Sequence, residues 1–372
     1  METVINLEVS PLREQSYTGI SQVTAALADQ MLGDRTRRTA FFFGRAMIGH
    51  DIVEDLVARR DGRMVEWYMQ RAGTQPAPLD AACYNVAIFP NRKASRRGFN
   101  FECQIVHDLS TLLTPQFHNR DTINYHAMTL LNDVQTNDLT FCVSEATRQD
   151  VLRYLGPLDP ERVVTTRLGA TIDAGVDLQT DGRMAEPYIL VLGTIEPRKN
   201  VTMILEYIAR RPEVLGRTRF LFLGRFGWGA PFNDLLAAHG LTQAFEAGKL
   251  VFPGFVSEPV KNTLISHARL IIYPSLFEGF GLPVLEGLAH GVPALITRSS
   301  SLPEVGGDCC YYFDPFTPGD FDTALSRAIS DLQRRAAAVR AACLAQAARF
   351  SWADTYAAMM RAVETLLPAT AR

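Results

Sequence analysis

Two glutamates with seven residues between them, Glu278 and Glu286, enclose the glycine-rich run Gly279-Phe280-Gly281-Leu282-Pro283-Val284-Leu285. Carboxylates accept hydrogen bonds from hydroxyl groups, and sugars and riboses are rich in hydroxyls. Gly279 and Gly281 carry no Cβ, so a ligand can approach the backbone closely there. Pro283 suits the first turn of a helix. Glu278 then lies in the loop after a strand, and Glu286 in the opening turns of the helix. A structural explanation of Glu286, a carboxylate favoured by the positive helix N-terminus, leaves Glu278 and both glycines unexplained.

The second chemical signal is Gly193-Thr-Ile-Glu-Pro-Arg198-Lys199-Asn200, between an apolar strand and a helix that Asn200 can cap. Two cations at a helix N-terminus oppose the macrodipole, so an anion is expected between them. A diphosphate fits, with Arg198 as a fork and Lys199 as a point charge. A solvated basic loop is the competing explanation.

Weaker signals lie in the first half. Gly19, in Tyr17-Thr-Gly19-Ile, sits between the first strand and the first helix. Its backbone N–H can help to cradle a phosphate, and an ordinary turn explains it equally well. His107 and Asp108, in Ile105-Val-His107-Asp108-Leu, close a strand. His107 can hydrogen-bond a sugar hydroxyl or a reacting oxygen, or it can be a core histidine with a satisfied partner. Asp108 and His118 are acceptor-side candidates. Asp320-Phe-Asp322 has metal-ligand spacing but follows Thr-Pro-Gly and opens a helix, so capping is the better explanation and no metal site is assigned. Gly224-Arg-Phe-Gly227-Trp-Gly229 lacks the order of a dinucleotide fingerprint. The basic run Arg92–Arg97 can face anionic lipid or a lipid-diphosphate acceptor, with a solvated loop the preferred explanation.

Parallel sheets with crossover helices are the elements that would hold these residues. Strands are predicted at Val4–Val9, Arg38–Phe43, Asn85–Phe89, Cys103–His107, Leu139–Val143 and Val163–Leu168. A second series runs Tyr188–Leu192, Arg219–Leu223, Lys249–Phe252, Leu270–Tyr273, Ala294–Thr297 and Cys310–Phe313. Periodicity fades over Ala170–Pro187, which reads as a linker. Helices are predicted at Ile20–Met31, Asp121–Val134, Ser144–Leu155, Ser326–Ala348 and Ser351–Leu367, with Ser144 and Ser351 as caps. The domain organisation is therefore 1–175, 176–350 and a final helix in 351–372: two doubly wound α/β domains facing across a cleft. A chain of 372 residues supports two cores. The net charge of −3 gives no field for nucleic acid. Six cysteines without a C-x-x-C pair read as reduced thiols of a cytosolic protein. Met1–Ser10 reads as a strand rather than a leader, and no run is long enough to span a membrane.

These motifs together resemble the retaining glycosyltransferases of the GT-B fold, family 4. Glu278 and Glu286 stand as in its E-x7-E motif, Gly193 to Asn200 as in its diphosphate segment. His107-Asp108-Leu, Ser144-Glu-Ala-Thr and Phe350-Ser-Trp352 are similar to its other landmarks. The first loop departs, since many relatives carry a double glycine where only Gly19 appears. The resemblance implies a catalytic set of His107, Arg198, Lys199 and Glu278. It implies a donor site of Gly19, Gly193, Arg198, Lys199, Glu278, Gly279, Phe280, Gly281, Leu282 and Glu286, with Arg198 and Lys199 on the diphosphate, Glu278 on the sugar and Glu286 on the ribose. It further implies transfer with retention from a nucleotide-diphosphate sugar, GDP-mannose favoured, to a glycan or lipid-linked acceptor. No metal or other cofactor is expected. The setting is surface polysaccharide synthesis, in the cytoplasm or on the inner membrane face, and the final helix crosses back to the first domain. A sugar-nucleotide epimerase and a non-catalytic sugar-nucleotide sensor are the alternatives.

Overall fold

Short β-branched and aromatic runs alternating with helices form two mainly parallel sheets in a computed structural model of the chain. It describes residues 1–371 apart from 15–16, 18, 45, 66–67, 69–81, 94–95, 128, 173–186 and 228, and apart from the side chain of Tyr125. Most of the predicted linker lies outside the described residues.

One unit comprises Met1–Leu109, Asn124–Gly169 and Ser351–Arg372. Its strands are β1 (Thr3–Glu8), β2 (Arg38–Phe43), β3 (Ala46–Ile48), β4 (Tyr84–Phe89), β5 (Phe101–Val106), β6 (Leu139–Cys142) and β7 (Val163–Thr165), in the order β3-β2-β1-β4-β5-β6-β7. All neighbours are parallel except β2 and β3. Helices α1 (Gly19–Gly33) and α2 (His50–Arg59) follow the first strands. The stretch between β5 and β6, whose residues 110–123 belong to the other unit, holds α3 (Ser110–Leu113), α4 (Arg120–Ala127) and α5 (Leu130–Gln135), and α6 (Glu145–Tyr154) follows β6. The single helix expected at 121–134 is thus two. Ser144 caps α6, accepting from the Thr147 N–H at 3.0 Å.

The other unit comprises Ser110–Ile123 and Ala170–Phe350. Its strands are β8 (Tyr188–Leu192), β9 (Arg219–Leu223), β10 (Leu250–Gly254), β11 (Leu270–Tyr273), β12 (Ala294–Thr297) and β13 (Tyr311–Phe313), in the order β10-β9-β8-β11-β12-β13. Its helices are α7 (Val201–Arg210), α8 (Phe232–Ala238), α9 (Thr242–Glu246), α10 (Glu258–His267), α11 (Leu282–Ala289), α12 (Leu302–Gly306) and α13 (Asp320–Ala347). Strands β8, β11 and β12 are buried along their whole length, as crossover helices require. Ile189, Val191, Phe220, Phe222 and Ile272 pack with Ile204, Leu205 and Ile208 of α7 in one apolar core. Strand order reverses between β8 and β11, which pair directly through Ile271 and Leu190. The loops after these two strands therefore start side by side, where ligands of such sheets bind.

Helix α14 (Trp352–Leu366) follows α13 in sequence and belongs to the unit containing β1. Ser351 caps it at 3.0 Å from the Asp354 N–H. Tyr356 Oη donates to Asp34 Oδ2 at 2.9 Å, and Thr355 Oγ1 to the Arg167 carbonyl at 2.6 Å. Among the described residues, no helix is long and apolar enough to cross a membrane.

Candidate active site

After β8 the chain turns at Gly193, whose φ of +125° favours glycine. It then forms a 3₁₀ turn over Pro197–Lys199 ahead of α7. Asn200 occupies the cap position with a left-handed φ of 54°, and its side chain makes no capping bond. The expected side-chain cap is thus replaced by a backbone turn, in which the Met203 N–H donates to the Asn200 carbonyl at 3.2 Å.

This loop is tied to the one after β11. The Leu276 N–H donates to the Arg198 carbonyl at 2.9 Å, and Arg198 Nη1 to the Phe277 carbonyl at 2.6 Å. Glu278 lies buried between the two cations. Lys199 Nζ is 2.6 Å from its Oε1, and Arg198 Nη1 is 3.3 Å from its Oε2. Ser275 Oγ donates to the same Oε1 at 2.5 Å and Tyr273 Oη at 3.0 Å. Arg198 Nη2 also reaches Glu196 Oε1 at 3.0 Å. Burial pushes the Glu278 carboxyl up, but Lys199 and Arg198 overcome it and bring it down to about 2. Burial pulls the Lys199 ammonium below the usual lysine range, against the attraction of Glu278.

The backbone of Glu278 is clamped from the loop after β12. Its N–H donates to Ser300 Oγ at 2.8 Å, and its carbonyl accepts from Ser300 Oγ at 2.7 Å and Ser301 Oγ at 2.9 Å. Gly281 precedes α11 with φ +103°, and a Cβ there would lie 2.8 Å from Leu302 Cδ2. Its small size thus serves the turn and the packing of Leu302, beside any ligand. The Phe280 ring packs edge-on against Phe350 at 5.9 Å, so it is committed to the core. Leu282 and Pro283 open α11, as the proline predicted. Glu286 is buried further along α11, where Lys261 Nζ of α10 lies 2.9 Å from its Oε1.

The structure thus brings Arg198, Lys199 and Glu278 into one ionic cluster beside Gly193 and gives Glu286 a separate cation. The aromatic and hydroxyl partners, Tyr273 and Ser275, stand just before Glu278 in sequence but have no charge to mark them. Lys261 lies 25 residues before Glu286 with no spacing rule to link them.

In the other unit, His107 follows β5 and its Nε2 lies 2.6 Å from the Pro90 carbonyl. That bond places the proton on Nε2 and leaves Nδ1 as the acceptor. Burial holds the imidazole below the usual histidine range. Asp108 follows it, close enough to influence both His107 and His126 electrostatically. Gly19 is the first residue of α1, while Thr18 before it lies outside the described residues. His118, which belongs to the unit containing β8, follows the 3₁₀ turn Pro115–Phe117, its N–H on the Pro115 carbonyl at 3.0 Å.

Two sequence readings change. In the basic run, Lys93 is buried against Glu102 at 2.5 Å and Arg96 pairs with Asp133 at 2.7 Å, so two of its cations are spent internally. Asp320 and Asp322 sit in the first turn of α13, but neither side chain caps it. Asp320 accepts from the Asp314 N–H at 2.7 Å, and Asp322 from Tyr207 Oη at 2.9 Å. Among the described residues, no cluster of His, Cys, Asp and Glu has the arrangement of a metal site.

Residues 179–343 match the family described as "Glycosyl transferases group 1". The O-antigen chain mannosyltransferase B of Escherichia coli is 32% identical over 260 residues, 66% of this chain and 65% of that protein. The serotype-specific mannosyltransferase WbdA of Escherichia coli is 29% identical over 263 residues, 68% of this chain and 32% of its own length. The chain thus spans just under two thirds of the first relative and about a third of the second. Among solved structures, Anabaena Alr3699/HepE in complex with UDP-glucose has a TM-score of 0.67 at 14% identity, covering 98% of this chain and 99% of that one. WaaG, a glycosyltransferase involved in lipopolysaccharide biosynthesis, has a TM-score of 0.61 at 15% identity, covering 99% and 100%. At such identities the structures speak for the fold, two α/β domains with parallel sheets. The family match thus covers residues 179–343, less than half of the chain.

Proposed function

We propose that this protein is a retaining hexosyltransferase that moves mannose from GDP-mannose to a glycan or lipid-linked acceptor in surface polysaccharide synthesis. The observation that carries the reading is the ionic cluster of partly buried Arg198 and Lys199 with buried Glu278 at the strand-order switch point. The mannosyltransferase relatives support the choice of sugar. An epimerase or a passive sensor has no observation in its favour.

The reaction breaks the bond between an anomeric carbon and a phosphate oxygen. Positive charge grows on the sugar ring and negative charge on the departing diphosphate. Arg198 and Lys199, partly buried and fixed by the Phe277 carbonyl and Tyr273 Oη, stabilise that negative charge without reorganising. The incoming diphosphate replaces Glu278 as their partner. Glu278, held through its backbone by Ser300 and Ser301, then turns its carboxylate to donor-sugar hydroxyls. Glu286 takes the ribose. His107 presents Nδ1 to the transferred sugar, and Gly19 approaches the phosphates. Asp108 and His118 belong to the acceptor side. Retention follows if the acceptor attacks from the face of the leaving phosphate, which takes its proton. Two side-chain cations supply the charge a divalent metal would otherwise bring, so no metal is required. Docking at the inner membrane face would fall to the exposed Arg92 and Arg97.

The test is the melting temperature with GDP, UDP, dTDP or ADP, without and with excess EDTA. GDP at about 100 times its Kd should add roughly 2.7 kcal/mol, visible as a shift that EDTA leaves intact and Lys199→Ala removes. A shift abolished by EDTA would overturn the metal-free site. A panel that is flat for all four nucleotides would overturn the donor assignment.

A further inference from the structure

Glu278 and Glu286 are compensated by different elements. The cations of Glu278 come from the loop after β8, whereas that of Glu286 comes from α10. Lys261 Nζ sits between two carboxylates, 2.9 Å from Glu286 Oε1 and 2.8 Å from Glu258 Oε2. Glu258 and Lys261 are one turn apart on α10, a spacing at which side chains meet. Burial pulls the Lys261 ammonium down, but Glu286 and Glu258 outweigh it and hold it above the usual lysine range, so it stays charged. Glu286 itself is only 7% exposed. A carboxylate so buried requires a charged or hydrogen-bonding partner, and the partner it has fixes the plane in which its oxygens lie.

We propose that Lys261 is a positioning residue that aims the Glu286 carboxylate at the ribose hydroxyls of the donor, and so sets the preference for ribose over deoxyribose. Glu258 in turn aims Lys261. This rests on the reading of Glu286 as the ribose ligand. A carboxylate discriminates a hydroxyl from a hydrogen only when its acceptor oxygen is held at the right place. Lys261 engages Oε1 and thereby restricts how the group can rotate. The helices themselves do not depend on this pair. Asn262 Oδ1 and His290 Nε2 bridge the same two elements at 2.9 Å, and Leu264 and Ile265 anchor α10 in the core. Replacing Lys261 should therefore leave the fold in place.

The experiment is calorimetric titration of the full chain with GDP and with 2′,3′-dideoxy-GDP. The readout is the ratio of the two dissociation constants. In the wild type this ratio should be about 10 to 100, the worth of hydrogen bonds to a charged group. Lys261→Met should bring it to within about threefold of unity, Glu286→Gln should do the same, and Lys261→Arg should restore most of the wild-type ratio. Glu258→Gln, which keeps the Lys261–Glu286 pair, should lower it only in part. A Lys261→Met protein that retains the wild-type ratio while Glu286→Gln loses it would overturn the positioning role and leave the ribose reading intact. A wild type that binds both nucleotides equally would overturn the ribose reading and the inference with it. A merely structural contribution of Lys261 would lower the melting temperature and weaken both nucleotides alike, leaving the ratio unchanged.

Discussion

At Glu278 a buried carboxylate is stabilised by two cations, a serine and a tyrosine hydroxyl, and that arrangement makes its contribution to stability sensitive to acid. Its folded value of about 2 lies below the ordinary 4.5, so the carboxylate form favours the folded chain. The sign follows by linkage: this contribution is complete above about pH 4.5 and is lost as pH falls towards 2. Its size is on the order of 3 kcal/mol, from the shift and about 1.36 kcal/mol per pKa unit. Glu278→Gln should therefore be clearly less stable than wild type in urea at pH 6, with the gap closing between pH 4.5 and 2. A gap independent of pH would mean that Lys199 and Arg198 do not hold the carboxylate. The charged members of this cluster were legible in sequence, because Glu278, Arg198 and Lys199 each stand in a compact motif beside glycine. What could not be read was their mutual pairing. Sequence separates Lys199 and Glu278 by 79 residues, and only the pairing of β8 with β11 brings their loops together. Lys261 was illegible for the same reason, being brought to Glu286 by the packing of two helices.

Among elements, the strands were the easiest to read, since burial on both faces writes continuous apolar runs such as Tyr-Ile-Leu-Val-Leu at β8. The antiparallel β3 escaped because its three residues are only half-buried and carry no alternation. Helical periodicity likewise could not show the break between α4 and α5, nor the non-helical φ of −145° at Arg335 within α13. No proline or glycine stands at either interruption to mark it in the sequence. Gly281 shows how an element boundary controls the site. It ends the Glu278 loop and starts α11, with φ +103° and Leu302 against the position of a Cβ. An L-residue in the left-handed region costs about 1–2 kcal/mol, and the approach to Leu302 adds to it. Gly281→Ala should therefore lower the urea midpoint by an amount equivalent to about 2 kcal/mol or more. Gly240→Ala offers the control, with a left-handed φ of +68° and nothing within reach of its Cβ. Equal losses at the two positions would show that Leu302 does not constrain the turn.

For the molecule as a whole, the order of the chain and the order of the units differ. Helix α14 is the last long element in sequence, yet it belongs to the unit that begins with β1. Tyr356, Met359, Met360, Val363 and Leu367 are all buried, and α14 packs against α1. At about 1.5–3 kcal/mol for each large apolar side chain, and discounting for a denatured chain that is not fully extended, this burial is worth on the order of 10 kcal/mol. That equals the whole stability of an ordinary domain, roughly 5–15 kcal/mol. Two polar ties add to it: Tyr356 to Asp34, and Thr355 to the Arg167 carbonyl. A chain ending at Phe350 should therefore lose the unit that lies first in sequence while keeping the one beside the cut. Hydrogen exchange read by mass spectrometry distinguishes the two. Amides of β1, β2 and α1 should exchange rapidly in the truncated chain, whereas those of β8, β9 and β11 should stay protected, because their core of Ile189, Phe220, Phe222 and Ile272 is built without α14. Retained protection throughout would show that α14 only decorates the first unit. Loss of protection throughout would show that the second unit cannot hold its fold once the first has melted. Selective loss would establish that the first unit completes its core only after the second has been synthesised, because the helix it requires is encoded beyond Phe350.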